Sequence, residues 1–470
     1  MPSSVARALV FVTSALVLVL EIVAGRLVAP YVGVSLETFT AIIGTVLAGI
    51  AAGSWAGGWI ADNLNPAKLL GPAIILGGVL TWLSVPIVRG LGPGVTASPG
   101  NTVFLVTAAF LAPAGVVSTV SPLVAKLTLE SVDETGRVVG GLSAAGTFGA
   151  LAGTFFTGFV LLSILPGRTI VFLIGVALVL IGLAVSVFYG KNDWSWGATA
   201  SVLVFAALPW LTSSVCQHET EYFCVSVVPD EDRAGGRSLR LDLLRHGHVD
   251  LDDPGFLDIR YVRLLDNVVE ALPAGQIDAL HIGGGAFSLP RHILHERPDS
   301  THVVLEIDDQ LVEIAEEQLD LVQSDQLEVR VGDGRQAMRE LSADSFDVII
   351  GDAFGSESVP WHLTTLEVVD ELVRLLRPDG VYAMNVIDDA SADFVRAQVA
   401  TLGERFDHIA VIQPGTDPTG YRFNVIFVAS NAPLPTITVS AEDGVLIDGD
   451  PWGDGQILTD DFAPVDQLQG

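Results

Sequence analysis

The chain has 470 residues, too many for one ordinary domain, and its formal net charge is −31. Residues 1–215 carry eight Lys/Arg and seven Asp/Glu, whereas residues 216–470 carry 16 Lys/Arg and 48 Asp/Glu. So acidic a C-terminal half does not bind a nucleic-acid backbone through charge, because that binding needs cations against the phosphates. We expect no nucleic-acid partner, and the charge is compatible with a cationic substrate such as a polyamine.

Lysine is scarce in this chain. Only three of the 24 Lys and Arg residues are lysines (Lys68, Lys126 and Lys191), against 55 Asp and Glu residues. Abundant acids with few lysines are typical of salt-adapted proteins, since high ionic strength screens the self-repulsion of an acidic surface. The composition therefore predicts a halophilic source.

Apolar runs of about 20 residues, the length that spans a bilayer, recur up to residue 215. The first run is not a removable signal peptide, because it carries Glu21 and Arg26 and has no cleavage site. We predict a helical multi-pass domain in the cell membrane over residues 1–215, with the lipid bilayer as a partner. The predicted spans, about seven, are 6–26, 38–61, 69–89, 102–125, 138–164, 169–189 and 195–214.

The side of the membrane that the C-terminal half faces stays open at this point. Seven spans place the two ends on opposite sides, and the Lys/Arg distribution favours a cytoplasmic N-terminus. The C-terminal half would then face outward, where Cys216 and Cys224 could form a small disulfide loop instead of two free thiols. A cytosolic cofactor would argue for the reverse orientation.

The pattern changes after residue 216. Residues 222–228 and 239–244 alternate like two strands joined by a polar turn, which predicts a small β-hairpin region over 216–258. From residue 259 strands and helices alternate, which predicts a Rossmann-like α/β domain over 259–470, with a parallel sheet and helices on both faces. The predicted strands are 278–282, 302–306, 327–331, 346–351 and 380–386; the predicted helices are 259–272, 287–295, 308–319, 335–341, 363–377 and 391–405.

Four chemically informative signals fall at the carboxyl ends of these strands, where ligands bind in such folds. They are the glycine run Gly283–Gly285, Glu306 about 20 residues later, Asp333 and Asp352. Glycines let the backbone approach a ligand closely, and a carboxylate at the second strand can accept both hydroxyls of a ribose. The order predicts a site for a nucleoside cofactor.

The same residues carry a family resemblance. The runs 283–285, 305–308 (Leu-Glu-Ile-Asp), 332–335 (Gly-Asp-Gly-Arg) and 346–352 (Phe-Asp-Val-Ile-Ile-Gly-Asp) resemble the spermidine synthase (polyamine aminopropyltransferase) family, whose wider relatives are S-adenosylmethionine methyltransferases. Residues 221–222 and 246–250 resemble that family's N-terminal hairpins. Residues 20–26 and 57–62 resemble the membrane domain of membrane-fused spermidine synthases.

The resemblance implies a function and a set of site residues. Decarboxylated S-adenosylmethionine, or S-adenosylmethionine itself, would be the co-substrate, without a metal, and a small amine or polyamine would be the acceptor. Asp352 would be the catalytic carboxylate and Tyr261 would orient the amine. The implied cofactor-binding residues are Gly283, Gly284, Gly285, Glu306, Ile307, Asp333 and Gly334; the implied substrate-binding residues are Tyr222, Asp250 and Glu357. A homo-oligomer is compatible with this assignment.

Departures from the family pattern leave three functions open. Active aminopropyltransferases usually carry acids where this chain has Ala286 and Gly355, so we expect putrescine to be a poor acceptor. The main expectation is aminopropyl transfer to an amine. The rivals are an S-adenosylmethionine-dependent methyltransferase and a transporter or sensor whose C-terminal domain binds a nucleoside or polyamine without turnover. A metal site at His281, His292, His295 and His302 is not expected, because no matching set of ligands accompanies them.

Overall fold

The computed structural model comprises two compact units, Met1–Cys224 and Val225–Gly470. The division falls within the hairpin region that the sequence places at 216–258, so the predicted domain boundaries at 215 and 258 stay predictions. The structure describes residues 1–95, 98–129, 135–190, 205–211, 216–242, 244–353, 359–389, 391–413, 422–448 and 455–469.

Six helices of the first unit are long and apolar enough to cross a membrane, counted over the described residues. Each contains one of the first six predicted spans. The seventh predicted span, 195–214, lies mostly outside the described residues, and only a short helix, α7 (Leu208–Leu211), is seen within it. The six helices are α1 (Ser3–Val32), α2 (Leu36–Asn63), α3 (Pro66–Gly94), α4 (Pro99–Thr128), α5 (Thr135–Ile164) and α6 (Gly167–Tyr189).

Glycines spaced four residues apart bring these helices into backbone contact. A Cβ added at Gly149 or Gly153 of α5 would overlap the carbonyl oxygen of Phe11 or Ala15 on α1. A Cβ at Gly53 of α2 would likewise overlap the backbone of α4. Close backbone approach of this kind is how helices associate in lipid, where apolar burial gives no driving force.

The described residues at the two ends of this bundle show where the chain enters and leaves it. The Met1 ammonium donates to Leu127 O at 2.8 Å, near the end of α4. Residues 216–224 lie at the other end: Glu219 Oε2 accepts from Gly167 N at 2.6 Å, and Arg26 donates to Thr220 O. A disulfide joins Cys216 to Cys224, which decides between the two alternatives that the sequence left open.

The second unit contains a small antiparallel sheet followed by a large mixed sheet. The small sheet runs through β2 (Cys224–Pro229), β3 (Gly236–Leu241) and β4 (Leu244–Asp250); β1 (His218–Glu219) precedes it in the chain. The large sheet has the order β12-β10-β11-β9-β8-β5-β6-β7. Its strands are β5 (Asp278–Ile282), β6 (Thr301–Glu306), β7 (Leu327–Val331), β8 (Phe346–Gly351), β9 (Leu376–Asp389), β10 (His408–Gln413), β11 (Arg422–Ser430) and β12 (Val445–Asp448).

Helices cover both faces of the large sheet and agree with the predicted ones to within a few residues. Buried Leu, Val and Ile side chains of the helices and strands form an apolar core on each face. The helices are α8 (Arg260–Glu270), α9 (Ser288–Glu296), α10 (Asp309–Gln318), α11 (Gly334–Glu340), α12 (Leu366–Leu375) and α13 (Asp393–Gly403), followed by the short α14 (Val465–Leu468).

The five predicted strands form the parallel part of the sheet, and three further described strands, which the sequence pattern did not predict, form an antiparallel part. Strands β9, β8, β5, β6 and β7 are parallel neighbours, whereas β10 pairs antiparallel with β11 and β12, and β11 antiparallel with β9. The connection between β10 and β11 has eight residues, 414–421, and a parallel crossover needs a dozen or more. The antiparallel edge therefore follows from short connections near the C-terminus.

Candidate functional site

The carboxyl ends of β5, β6, β7 and β8 lie side by side and bring the four predicted signals to one edge of the sheet. Backbone hydrogen bonds connect the loops that leave these strands. Gly283 N donates to Leu305 O at 2.8 Å, Gly332 N to Glu306 O at 2.8 Å, and Asp352 N to Ile282 O at 2.9 Å. These bonds fix the glycine loop relative to the three acidic residues.

Gly283 occupies a position that only glycine fills without strain. Its φ is +99°, and a Cβ there would overlap the carbonyl oxygen of Asp352. The absence of a side chain lets the loop after β5 approach the loop after β8. Gly283 thus places the glycine run directly beside Asp352.

Glu306 is buried at the end of β6, with an exposed fraction of 5%. Its Oε2 accepts from Gly284 N at 2.8 Å and its Oε1 accepts from Asp308 N at 3.0 Å. Burial raises the pKa of Glu306, and these two backbone donors partly offset the effect. A carboxylate has about four acceptor positions, so both oxygens retain capacity for further donors such as ribose hydroxyls. The next residue, Ile307, presents an exposed apolar side chain.

Asp352 is the centre of a polar network at the end of β8. Its Oδ1 accepts from Asn385 Nδ2 at 2.8 Å, and Asn385 Oδ1 in turn accepts from Asn424 Nδ2 at 3.0 Å. Asp352 also hydrogen bonds with Tyr261. Burial raises the pKa of Asp352 to about 6, although both hydrogen bonds act to lower it. A carboxylate with this pKa exchanges a proton near neutral pH, which suits an acid–base role.

Tyr261 connects this carboxylate to the small sheet. Its hydroxyl donates to His246 O at 3.1 Å and also contacts Asp352, and burial raises the pKa of Tyr261 well above its usual value. A tyrosine hydroxyl has a single hydrogen, so it donates to one of these oxygens at a time. When Asp352 is protonated it can donate to Tyr261 while Tyr261 donates to His246 O. Tyr261 can therefore hold Asp352 in both protonation states.

Asp333 lies at the end of β7 and begins α11. Its Oδ1 caps the helix by accepting from Gln336 N at 2.9 Å, while Oδ2 lies 3.2 Å from His362 Nε2. The neighbouring Gly334 packs close to Ile282. The cap and the histidine fix the orientation of the carboxylate, which is partly exposed and accessible to a donor such as an exocyclic amino group.

The C-terminal segment 458–464 is fastened beside Asp333. Asp460 accepts two hydrogen bonds from Arg335, at 2.7 and 2.6 Å, and one from Thr365 Oγ1 at 2.8 Å. Its backbone N–H donates to Glu367 Oε2 at 3.0 Å. Bidentate arginine–carboxylate pairs combine strength with defined geometry. This segment thus closes one flank of the site next to the Asp333 loop.

The remaining predicted site residues are distributed differently. Asp250 is buried and bonded to Arg233 Nε at 2.5 Å, so its carboxylate already has a cationic partner within the hairpin region. Tyr222 belongs to the first unit, where its side chain is exposed. Glu357 lies outside the described residues, as does Gly355. The substrate-binding roles of these residues stay predictions.

Ala286 follows the glycine run and is buried, with an exposed fraction of 3%. A Cβ added at Gly247 of β4 would overlap the Cβ of Ala286. The hairpin strand therefore packs directly onto the position where the family resemblance implies an acid. The contact leaves little room at this point for a larger side chain.

Three of the four histidines considered as metal ligands have other polar partners close by, and His295 Nε2 lies 3.8 Å from Glu296 Oε1. His281 Nε2 lies 2.9 Å from His302 Nδ1, and His292 Nε2 lies 3.1 Å from Asp266 Oδ2. Within the described ranges, no group of three or more His, Cys, Asp or Glu residues is placed to hold a metal ion.

The sequence patterns did not predict three polar residues of the site: Asn385, Asn424 and His362. Asn385 and Asn424 interrupt the apolar strands β9 and β11, and an amide within an apolar strand is the one signal that could have identified them. Their relevance depends on the pairing of β9 with β11, which is antiparallel. His362 lies in a short turn, and no local pattern marks it.

Comparison with known proteins finds a family match for the region that carries this site. Residues 259–417, about a third of the chain, match the family model described as "Spermine/spermidine synthase domain". This segment is therefore similar to spermine/spermidine synthase domains. It includes Tyr261, the glycine run, Glu306, Asp333, Asp352 and Asn385.

Individual known proteins are similar to parts of this chain. A polyamine aminopropyltransferase of Vibrio vulnificus (strain CMCP6) is 34% identical over 108 residues, which cover 23% of this chain and 36% of that protein. The chain thus spans about a third of the length of this curated relative. A probable spermidine synthase of Corynebacterium glutamicum ATCC 13032 has a TM-score of 0.49 at 23% identity, covering 54% of this chain and 99% of the other. Spermidine synthase of Thermotoga maritima has a TM-score of 0.35 at 18% identity, covering 44% and 68%.

Proposed function

We propose that this protein is a membrane-bound aminopropyltransferase that moves an aminopropyl group from decarboxylated S-adenosylmethionine to an amine. The observation that carries the proposal is the joint placement of Asp352, Tyr261 and Asn385 beside the glycine loop. A buried carboxylate of raised pKa, held by a tyrosine and an asparagine, suits the acceptance of a proton from a nucleophilic amine. The match of residues 259–417 to the synthase family supports this reaction class.

The chemical step is a substitution at carbon. The neutral nitrogen of the acceptor attacks the aminopropyl carbon that is bonded to the sulfonium. The C–N bond forms, the C–S bond breaks with its electron pair on sulfur, and 5′-methylthioadenosine leaves. Asp352 accepts the proton that the new secondary ammonium loses, and its negative charge favours the cationic reactants. Asn385 and Tyr261 orient the carboxylate for this transfer.

The other residues of the sheet edge account for nucleoside binding. Glu306 is positioned to accept from both ribose hydroxyls, with Gly284 N and Asp308 N holding its oxygens in place. The glycine loop leaves space for the sulfur-linked chain. Asp333, oriented by His362, accepts from the adenine amino group, and the exposed side chain of Ile307 offers an apolar contact to the base.

A methyltransferase that uses S-adenosylmethionine is the second candidate, and Ala286 is the observation that favours it. An acid at this position would suit the free ammonium of the decarboxylated donor. The buried contact between Ala286 and Gly247 provides no charge there. The family match of residues 259–417 favours aminopropyl transfer over this alternative.

Membrane placement is the second part of the proposal. Six apolar helices support integration into a bilayer. The end of α6 packs beside the start of α3, at Gly71 and Ser186, whereas Glu219 and Thr220 contact the opposite end of the bundle. These contacts support an odd number of crossings, with Cys216 on the side of the membrane opposite to Met1. The Cys216–Cys224 disulfide supports an oxidising environment on that side.

Ligand-induced stabilisation distinguishes the candidate donors. The full chain, purified in detergent, is heated with decarboxylated S-adenosylmethionine, S-adenosylmethionine or 5′-methylthioadenosine at equal concentration. A ligand stabilises the native state by RT ln(1 + [L]/Kd), so the preferred donor gives the largest rise in Tm. Aminopropyl transfer predicts that the decarboxylated donor ranks above S-adenosylmethionine. The reverse order supports the methyltransferase, and no shift with any nucleoside contradicts both.

A further inference from the structure

The membrane unit has a basic cavity that the enzymatic site does not use. It has a volume of about 480 Å³ and lies where α1 and α5 begin and α4 ends. Its wall includes two arginines, Arg7 and Arg137, and two hydroxyl residues, Ser3 and Thr128. Arg7 Nε donates to Ser3 O at 3.2 Å, which fixes this guanidinium at the cavity wall.

The geometry of the two helices explains why a cavity forms at this end. Helices α1 and α5 are in backbone contact at Gly149 and Gly153, further along their length. Toward their starts they separate: a Cβ at Gly141 would meet nothing closer than the Arg7 side chain, at 3.8 Å. Leu142 is buried in the seam. The cavity is therefore a wedge with an apolar inner end and two guanidinium groups at the span ends.

We propose that this wedge binds the phosphate headgroup of an anionic phospholipid. A guanidinium matches a phosphate with two parallel hydrogen bonds, and two arginines with the Ser3 hydroxyl supply donors from several directions. Basic pockets between membrane helices at the level of the headgroups recognise anionic lipids. The position at three span ends favours a lipid over free phosphate, because the acyl chains would then lie along the apolar surface of the helices. The proposal rests on the membrane placement proposed above.

Substitutions of the two arginines, with and without loss of charge, provide the test. R7Q, R137Q and the double variant remove the guanidinium groups, whereas R7K with R137K keeps the charges and loses the bidentate geometry. The control is K126Q, which removes a cation from the same end of the bundle; Lys126 pairs with Asp62 at 2.8 Å and does not line the cavity. The connection 130–134, which contains three acids, lies outside the described residues and stays unchanged in every variant.

The measurement uses the full chain in neutral detergent with three separate probes: phosphatidylglycerol, phosphatidylcholine and inorganic phosphate. Native mass spectrometry counts bound lipids, and tryptophan fluorescence follows the Tm. We expect wild type and K126Q to retain phosphatidylglycerol in preference to phosphatidylcholine. Removal of each arginine should weaken phosphatidylglycerol binding on the order of 10-fold, because charge-assisted hydrogen bonds to the phosphate are lost. The double lysine variant should be intermediate.

Three results would overturn the assignment. They are equal retention of the neutral and anionic lipid by wild type, unchanged selectivity in the double glutamine variant, and an equal rise in Tm with inorganic phosphate. The Tm without lipid shows whether each variant is folded, and a misfolded double variant leaves the single and lysine variants to decide. Flotation with phosphatidylcholine vesicles reports membrane insertion separately, so a failure of the membrane placement is distinguishable from a failure of headgroup binding.

Discussion

Asp352 Oδ1 accepts a hydrogen bond from Asn385 Nδ2 at 2.8 Å, across the parallel pair β8 and β9. This contact joins the carboxyl end of one strand to the interior of the next, and Asn424 extends it to a third strand. The carboxylate is thereby held by the rigid centre of the sheet. A group on a rigid element keeps its orientation when substrates enter and leave, which is what a proton acceptor requires.

The first prediction is that Asp352→Asn lowers turnover by roughly 10²-fold or more, the range of general-base catalysis, with little change in nucleoside affinity. In the wild type the turnover rate should rise as the pH increases through about 6, because Asp352 loses its proton there. The variant should not show this increase. Steady-state rates between pH 5 and 8 with calorimetric nucleoside binding provide the measurement. Asp325→Asn, an exposed acid at the opposite edge of the sheet, is the control.

The dependence of stability on pH distinguishes a loss of catalysis in Asp352→Asn from a loss of folding. The pKa of Asp352 is raised by folding, so the native state binds more protons than the unfolded chain between about pH 4 and 6, and stability falls as pH rises through that window. An uncharged asparagine avoids this cost, and its Tm at pH 7 should equal or exceed that of the wild type. Full activity in Asp352→Asn would show that the residue is structural.

The second prediction concerns Glu306. Glu306→Ala should weaken 5′-methylthioadenosine binding on the order of 10- to 100-fold, because two ribose hydroxyls lose their charged acceptor. Calorimetry with the 2′-deoxy analogue provides the matched comparison: the wild type should discriminate against it, and the variant should bind both nucleosides alike. Unchanged affinity in Glu306→Ala would remove Glu306 from the nucleoside site.

The third prediction is that Cys216 and Cys224 resist thiol reagents until they are reduced, since they form a disulfide. An impermeant maleimide applied to intact cells should label both only after prior reduction, if the synthase domain faces outward. Cys224→Ser is the control, because it leaves the less buried Cys216 as a free thiol that labels without reduction. Labelling of both cysteines only after lysis, without reductant, would place this region in the cytoplasm.

The fourth prediction is that putrescine is a poor acceptor. The resemblance implies acids where this chain has Ala286 and Gly355, and burial of a diamine's distal ammonium without an anionic partner is unfavourable. A monoamine or a less charged acceptor should react faster, as measured by mass spectrometry of the products. Because β4 packs on Ala286, we expect Ala286→Asp alone to lower the Tm. Efficient formation of spermidine by the unmodified chain would contradict this prediction.

Much of the architecture was predictable from the sequence, and the parts that were not predictable have physical causes. The strands β5 to β8 and their helices follow from local apolar periodicity, so they were predictable to within a few residues. The antiparallel pairing of β10 and β11 depends on the length of one connection.

Some features of the site likewise follow from the local sequence, whereas others depend on tertiary packing. The placement of Gly283, Glu306, Asp333 and Asp352 at one edge of the sheet was predictable, because each ends or follows a parallel strand. The contact of Asn385 with Asp352 and the ion pair of Asp250 with Arg233 involve residues that are distant in sequence. Such partners are set by tertiary packing, which a single sequence does not reveal.

Transfer of isotopic label is the most direct test of the central claim. The purified full chain is incubated with decarboxylated S-adenosylmethionine that carries ¹³C in the aminopropyl group, together with a panel of mono- and diamines. We predict that labelled aminopropyl groups appear on at least one amine in step with 5′-methylthioadenosine, and that Asp352→Asn suppresses both products. Absence of labelled product, with methyl transfer from S-adenosylmethionine under the same conditions, would contradict the account.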